Sequence, residues 1–293
     1  MARCSNWEGS ILKCRIFGLD FKNPVFIASG TFEYGLTYKR VSNRVGAVIT
    51  KGITARPRIG NPPPRIIETP CGLINSVGLE NPGVEVFCQE ILPKMRKLKT
   101  RVFVNVAGFT VEDFIRIVEA IGDRADGLEL NVSCPNVEAG GVAFGRDPEI
   151  CAEVVKQVKK RTKLPVIVKL TANFCDPLVV GRRCIEAGAD GLSLINTLHA
   201  MAFDVKGTKV LIQGGLSGPA IRPFALFCVH RLKELGVPVI GIGGIMSGRD
   251  AYEFLLAGAA AVEVGSATLR DPYAPLKIIK ELKQYTGWGH DAG

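Results

Sequence analysis

The chain has 293 residues, 47% of them apolar, and carries 37 Lys and Arg against 28 Asp and Glu, a formal net charge of +9. That length and apolar share suit a large core and exclude a disordered or disulfide-stapled class. The basic residues are scattered, with the densest group at Lys94–Arg101 and no basic tail or RNA-binding signature, so the charge reads as a solvated surface suited to anionic ligands; neither nucleic acid nor membrane is an expected partner.

In chain order, residues 11–21 alternate like a small N-terminal hairpin placed to plug the floor of a barrel. Eight short, β-branched apolar runs follow at Val25–Ala28, Ala47–Thr50, Val102–Asn105, Leu128–Asn131, Val166–Lys169, Leu192–Ile195, Val239–Ile242 and Ala261–Val264. Continuous apolar strands of this kind belong to parallel sheets covered on their outer face. Helical spacing lies between them: Val111–Ile121 behind an N-cap at Thr110 with Asp113 three residues on, Asp147–Arg161 with a stripe of Ile150, Val154, Val155 and Val158, then Gly248–Ala257 and Ala274–Tyr285. Long connections at 52–81 and 198–218 interrupt the rhythm and read as functional loops. The expected fold is α/β, a (β/α)8 TIM barrel with a small N-terminal hairpin and long loops at the C-terminal face, formed as one domain over residues 1–293. An open doubly wound sheet is the alternative.

In such a barrel the active site sits at the C-terminal ends of the strands. Those ends read Ser29, Lys51, Asn105, Asn131, Lys169, Asn196–Thr197, Gly243–Gly244 and Gly265–Ser266. Bare backbone after the last two strands, the usual phosphate position in this fold, suits a phosphate. Two inward lysines with several amides suit a planar ring that becomes anionic on reduction, such as that of FMN. They also suit a phosphate-sugar aldolase or synthase using one lysine as a Schiff base. Asn75, in Asn75-Ser76-Val77-Gly78-Leu79, offers the donor and acceptor that a cyclic amide substrate needs. A non-catalytic binding module would not need polar groups at so many strand ends.

Cys134 lies in Asn131-Val132-Ser133-Cys134-Pro135-Asn136, directly after a strand, with glycines at 140, 141 and 145. A thiol with a reference pKa of roughly 8.5 can give up and regain a proton near neutrality. Only three histidines exist, and His199 alone is near a strand end, so a general base fits better than a nucleophile with a histidine helper. The other eight of the nine cysteines read as structural. No C-x-x-C pair is present, which points away from a metal site and toward a reducing cytoplasm. No stretch approaches 18 uninterrupted apolar residues, and the N-terminus has no signal-like apolar region.

These segments, with Thr50-Lys51-Gly52-Ile53-Thr54, Thr69–Gly83, Ala143-Phe144-Gly145, Gly214–Ala220 and Gly241–Gly244, resemble the class 1 dihydroorotate dehydrogenases almost end to end, most closely the FMN-bearing catalytic subunit of class 1B. The resemblance implies oxidation of dihydroorotate to orotate in pyrimidine biosynthesis, with Cys134 as the base. It implies FMN held by Ser29, Lys51, Gly52, Asn105, Asn131, Lys169, Ile195, Gly218, Gly243, Gly244, Gly265 and Ser266. Ser266 stands where such enzymes often have threonine, which keeps the hydroxyl. Orotate would be held by Lys51, Asn75, Ser76, Val77, Gly78, Leu79, Asn131, Asn196 and Thr197. It further implies a homodimer and an electron-transfer subunit carrying FAD and an iron–sulfur cluster that passes electrons to NAD. A dihydropyrimidine dehydrogenase-like subunit, which shares the cysteine lid, and a fumarate-dependent class 1A enzyme are the alternatives.

Overall fold

The computed structural model describes residues 12–132, 147–204 and 206–286. An antiparallel hairpin of β1 (Cys14–Ile16) and β2 (Leu19–Phe21) comes first. The eight expected strands follow as β3 (Val25–Ile27), β4 (Ala47–Ile49), β7 (Arg101–Val106), β8 (Gly127–Asn131), β9 (Val166–Lys169), β10 (Gly191–Leu194), β13 (Val239–Ile242) and β14 (Ala261–Val264). All are parallel, and β14 pairs with β3 as well as with β13, so the sheet closes into a barrel and the open doubly wound alternative is excluded.

Every second side chain of a strand faces the barrel axis. The outward set, including Val25, Ile27, Val102, Val104, Leu128 and Leu130, packs under the helices in one continuous apolar cluster. The inward set near the N-terminal ends, Phe26, Ala47, Ile49, Phe103, Ile167, Ile240 and Ala261, forms a second cluster closed from below by Ile16 and Phe21 of the hairpin. The Phe21 ring lies 4.9 Å from that of Phe26 and 6.2 Å from that of Phe103. The hairpin is therefore the floor, as its alternation predicts.

The helices begin where the polar signals stand. Val111–Ile121 opens on a reciprocal cap between Thr110 and Asp113 and buries Phe114, Ile117, Val118 and Ile121, one stripe at helical spacing. Gly248–Ala257 opens the same way on Ser247 and Asp250. Pro148–Lys159 is capped by Asp147, but its buried stripe is Cys151, Val154, Val155 and Val158; Ile150 is only partly buried. Ala274–Thr286 ends the described chain. Among the described residues no helix is long and apolar enough to cross a membrane.

The long connections differ most from expectation. Each contains two strands: β5 (Ile66–Thr69) and β6 (Gly72–Asn75) in the first, β11 (Leu198–Asp204) and β12 (Lys209–Ser217) in the second. Antiparallel pairing in the order β11-β12-β6-β5 joins them into one sheet. Leu73, Ile74 and Ile212 are buried, while Met201, Phe203, Val210 and Leu211 stay exposed toward its outer end.

Phe21 is almost wholly buried, and truncation would leave a cavity at the floor. Phe21→Ala is expected to lower stability by about 3 kcal/mol, read by urea denaturation; a loss within about 0.5 kcal/mol would mean the hairpin is not part of the core.

Candidate active site

At the C-terminal ends of the barrel strands lies a cavity of about 340 Å³, within the size range of small-molecule sites. Ser29, Lys51, Gly52, Asn131, Lys169, Ile195, Asn196, Thr197, Gly243, Gly244, Gly265 and Ser266 all line it, as does the whole of Asn75–Leu79. Seven of the eight strand ends, separated by up to 237 positions in sequence, thus converge on one space. Asn105 and Gly218 stand behind the wall rather than in it. A Cβ on Gly52 would lie 3.1 Å from Asn105 Oδ1, and one on Gly244 would lie 2.6 Å from the Gly218 carbonyl oxygen. Cys134 lies outside the described residues, with the rest of 133–146.

The glycine end of β13 is held open by its backbone. Gly243 and Gly244 have φ of +131° and +70°, a region that side chains disfavour, and a Cβ on Gly243 would meet Ala225 at 2.8 Å. Bare peptide therefore faces the cavity, the form a phosphate cradle needs. Gly265 differs: its φ is −111° and a Cβ there would make ordinary contacts.

The sheet over the mouth supplies the opposite wall. β6 and β12 come so close that a Cβ on Gly214 would fall 2.0 Å from the Asn75 carbonyl oxygen, and Thr197, just before β11, stands so close to β12 that a Cβ on Gly215 would fall 2.0 Å from its Oγ1. Asn75 Nδ2 donates to the Gly215 carbonyl at 3.1 Å. Asn81 anchors the end of the segment. Its Oδ1 accepts from the amides of Thr54 and Gly83 at 3.2 and 2.9 Å, and its Nδ2 donates to Thr54 Oγ1 at 2.7 Å and to the Leu79 carbonyl at 2.8 Å. Lys51 Nζ stands 3.9 Å from Glu80 Oε1, and Arg65 Nη1 closes on the other oxygen of Glu80.

Below the cavity Lys169 joins a buried polar group. Its Nζ is 3.4 Å from Glu129 Oε1 and 3.6 Å from Glu263 Oε2. Glu129 also accepts from Asn105 Nδ2 at 2.6 Å and from Ser193 Oγ at 2.8 Å. Burial pushes the Glu129 carboxyl up, but the Lys169 ammonium and the hydrogen bonds from Glu263, Ser193 and Asn105 outweigh it and hold the group below the usual carboxylate range. Burial and the Glu129 charge push Glu263 well above that range. Burial disfavours the Lys169 cation, yet the two carboxyls raise its pKa. Asn105 Oδ1 is buried without a hydrogen-bond partner.

Sequence reasoning did not single out Glu129, Glu263, Arg58, Glu80, Asn81 or Gln213. A signal existed for two of them: Glu129 and Glu263 each interrupt an apolar run at an inward position. Arg58 and Gln213 line the cavity only because the two connections fold over it. His199 also lines it, edge-on to Phe174 at 5.3 Å. Of the cysteines read as structural, Cys88, Cys151, Cys184 and Cys228 are buried, whereas Cys71 is exposed and fills no core.

Residues 11–285 match the family described as dihydroorotate dehydrogenase. A protein of Alkaliphilus metalliredigens named dihydroorotate dehydrogenase B (NAD(+)), catalytic subunit, is 48% identical over 94% of this chain and 93% of its own. One of the same name from Desulforamulus reducens is 49% identical over 94% and 93%. An Aquifex aeolicus protein named for the A (fumarate) type is 45% identical, again over 94% and 93%.

Asn81→Ala would strand the Thr54 and Gly83 amides in the interior. The expected cost is about 3 kcal/mol in urea denaturation, with faster amide exchange along residues 73–79; unchanged exchange there would mean that Asn81 does not hold the wall.

Proposed function

The chain belongs to the dihydroorotate dehydrogenase family, and on that footing we propose that it oxidises dihydroorotate to orotate in de novo pyrimidine biosynthesis, with FMN as cofactor and Cys134 as base. The observation that carries the reading is the convergence of two lysines, several side-chain amides and a bare-backbone cradle on one cavity. The cradle at Gly243 and Gly244 has room for a phosphate where side chains would close it, and the cation at Lys169 suits a ring that gains electrons.

When bound, FMN supplies the acceptor for the hydride that leaves substrate C6. Ser29, Lys51, Gly52, Asn105, Asn131, Lys169, Ile195, Gly218, Gly243, Gly244, Gly265 and Ser266 would hold it, Asn105 and Gly218 from behind the wall. Lys51, Asn75, Ser76, Val77, Gly78, Leu79, Asn131, Asn196 and Thr197 would hold the substrate. Asn75, fixed by its bond to Gly215, presents its remaining amide groups to the polar edge of the substrate ring. The Cys134 thiolate takes the proton from C5 at its Sγ. Loss of that proton with the C6 hydride creates the ring double bond of orotate.

The same reading is of a cytoplasmic, single-domain catalytic subunit that forms a homodimer and passes electrons to NAD through a partner carrying FAD and an iron–sulfur cluster. The exposed apolar end of the β11–β12 hairpin supports burial against another protein surface. The word "subunit" in the names of the relatives from Alkaliphilus metalliredigens and Desulforamulus reducens supports a partner. The Aquifex aeolicus relative favours a second reading, in which fumarate takes the electrons directly.

The visible spectrum of the purified chain tests the cofactor: flavin absorbance is expected as purified or after adding FMN, and its absence in both cases sinks the proposal. Cys134→Ser is expected to lower turnover by about 10²-fold or more with FMN retained; unchanged turnover removes the base assignment. Gly244→Val is expected to weaken FMN binding on the order of tenfold or more in equilibrium titration with the fold preserved by circular dichroism. NAD reduction that requires an added iron–sulfur flavoprotein, against fumarate reduction by the chain alone, decides the acceptor.

A further inference from the structure

The proposed reaction makes no use of the two carboxyls beneath the cavity. Glu129 on β8 and Glu263 on β14 are 0% and 1% exposed, and Lys169, itself 5% exposed, is the one cation paired with either among the described residues. If both carboxyls were ionised, this dry group would carry an excess negative charge that no further cation among the described residues balances. One of them therefore holds a proton.

The hydrogen bonds identify which. Glu129 accepts from Asn105 Nδ2, Ser193 Oγ and Lys169 Nζ, the setting of an anion. Glu263 Oε2 accepts no hydrogen bond, and Lys169 Nζ is 3.6 Å away. Lys169 lines the cavity, whereas neither glutamate does. The positive end of the group thus faces the ligand and the negative end faces the barrel interior.

We propose that Glu129, Lys169 and Glu263 form a charge-neutral layer, with Glu129 ionised and Glu263 protonated, that keeps Lys169 a fixed cation directed into the cavity. Glu129 and Glu263 are positioning residues that act through Lys169. A buried lysine with no carboxylate beside it is driven to lose its proton, and two carboxylates would cancel the positive field it exerts on the ligand. One anion and one neutral acid avoid both outcomes. The layer's ionisation belongs to the chain alone; its bearing on an electron-accepting ring rests on the flavin reading above.

Infrared spectroscopy of the full chain as purified tests the ionisation. At pH 7 the carbonyl stretch of a protonated carboxyl is expected, and Glu263→Gln removes it. Lys169→Met, which takes the cation from Glu129, adds a second such band. A wild type without the band, or a band that survives Glu263→Gln, overturns the proposal. With FMN loaded, Glu263→Gln leaves the midpoint potential of the flavin unmoved, because glutamine replaces a neutral acid. A positive shift would show that a carboxylate had been removed and would overturn the proposal as well. A chain that takes up no FMN sinks the flavin reading, while the infrared bands still decide the layer.

Discussion

Each strand of the closed barrel sends every second side chain to the axis, and the space there must be filled at every level. Along that axis the chemistry changes in steps. Phenylalanine, isoleucine and alanine side chains, sealed by the β1–β2 hairpin, occupy the floor. Asn105, Glu129, Lys169, Ser193 and Glu263 occupy the middle. Asn131, Lys51 and bare glycine backbone border the mouth. The apolar floor keeps water from the middle layer, so its charges are felt at short range and must be matched to one another. Ion groups of this kind contribute little net stability. Their value lies in fixing where a charge stands.

The mouth has a different origin. Its outer wall is the sheet built from β5, β6, β11 and β12, whose halves leave the barrel after strands far apart in the chain. Their contact depends on Gly214, where any side chain would collide with Asn75. The same contact orients Asn75 through its bond to the Gly215 carbonyl, so the residue that would read the substrate is placed by a second connection more than a hundred residues away. Asn81 then ties the end of that wall to Thr54 and Gly83 beside the barrel. The cavity is therefore shaped by two layers, the strand ends below and the small sheet above, and polar groups from both converge inside it.

Much of this was legible in the sequence because the relevant signals are local. Eight β-branched runs, the Thr110–Asp113 cap and the alternation of residues 11–21 each follow from contacts within a few residues, and each forms the element expected. The polar strand ends were legible too, since parallel strands that close a barrel must all present their C-terminal residues on one face. What stayed hidden depends on partners distant in sequence. The strands inside the two long connections have no covering helix to make them continuously apolar, and they exist because each pairs with the other. Arg58 and Gln213 reach the cavity only through that pairing. Glu129 and Glu263 were visible as charges within apolar runs, but their shared relation to Lys169 follows from the register that brings β8, β9 and β14 around one axis. The sequence alone determined the barrel, its floor and the residues at its mouth, because strand periodicity and caps are short-range. Only the tertiary structure decided which carboxyl faces which cation and how the mouth is walled, because burial and Coulomb interaction depend on distances that chain order does not contain.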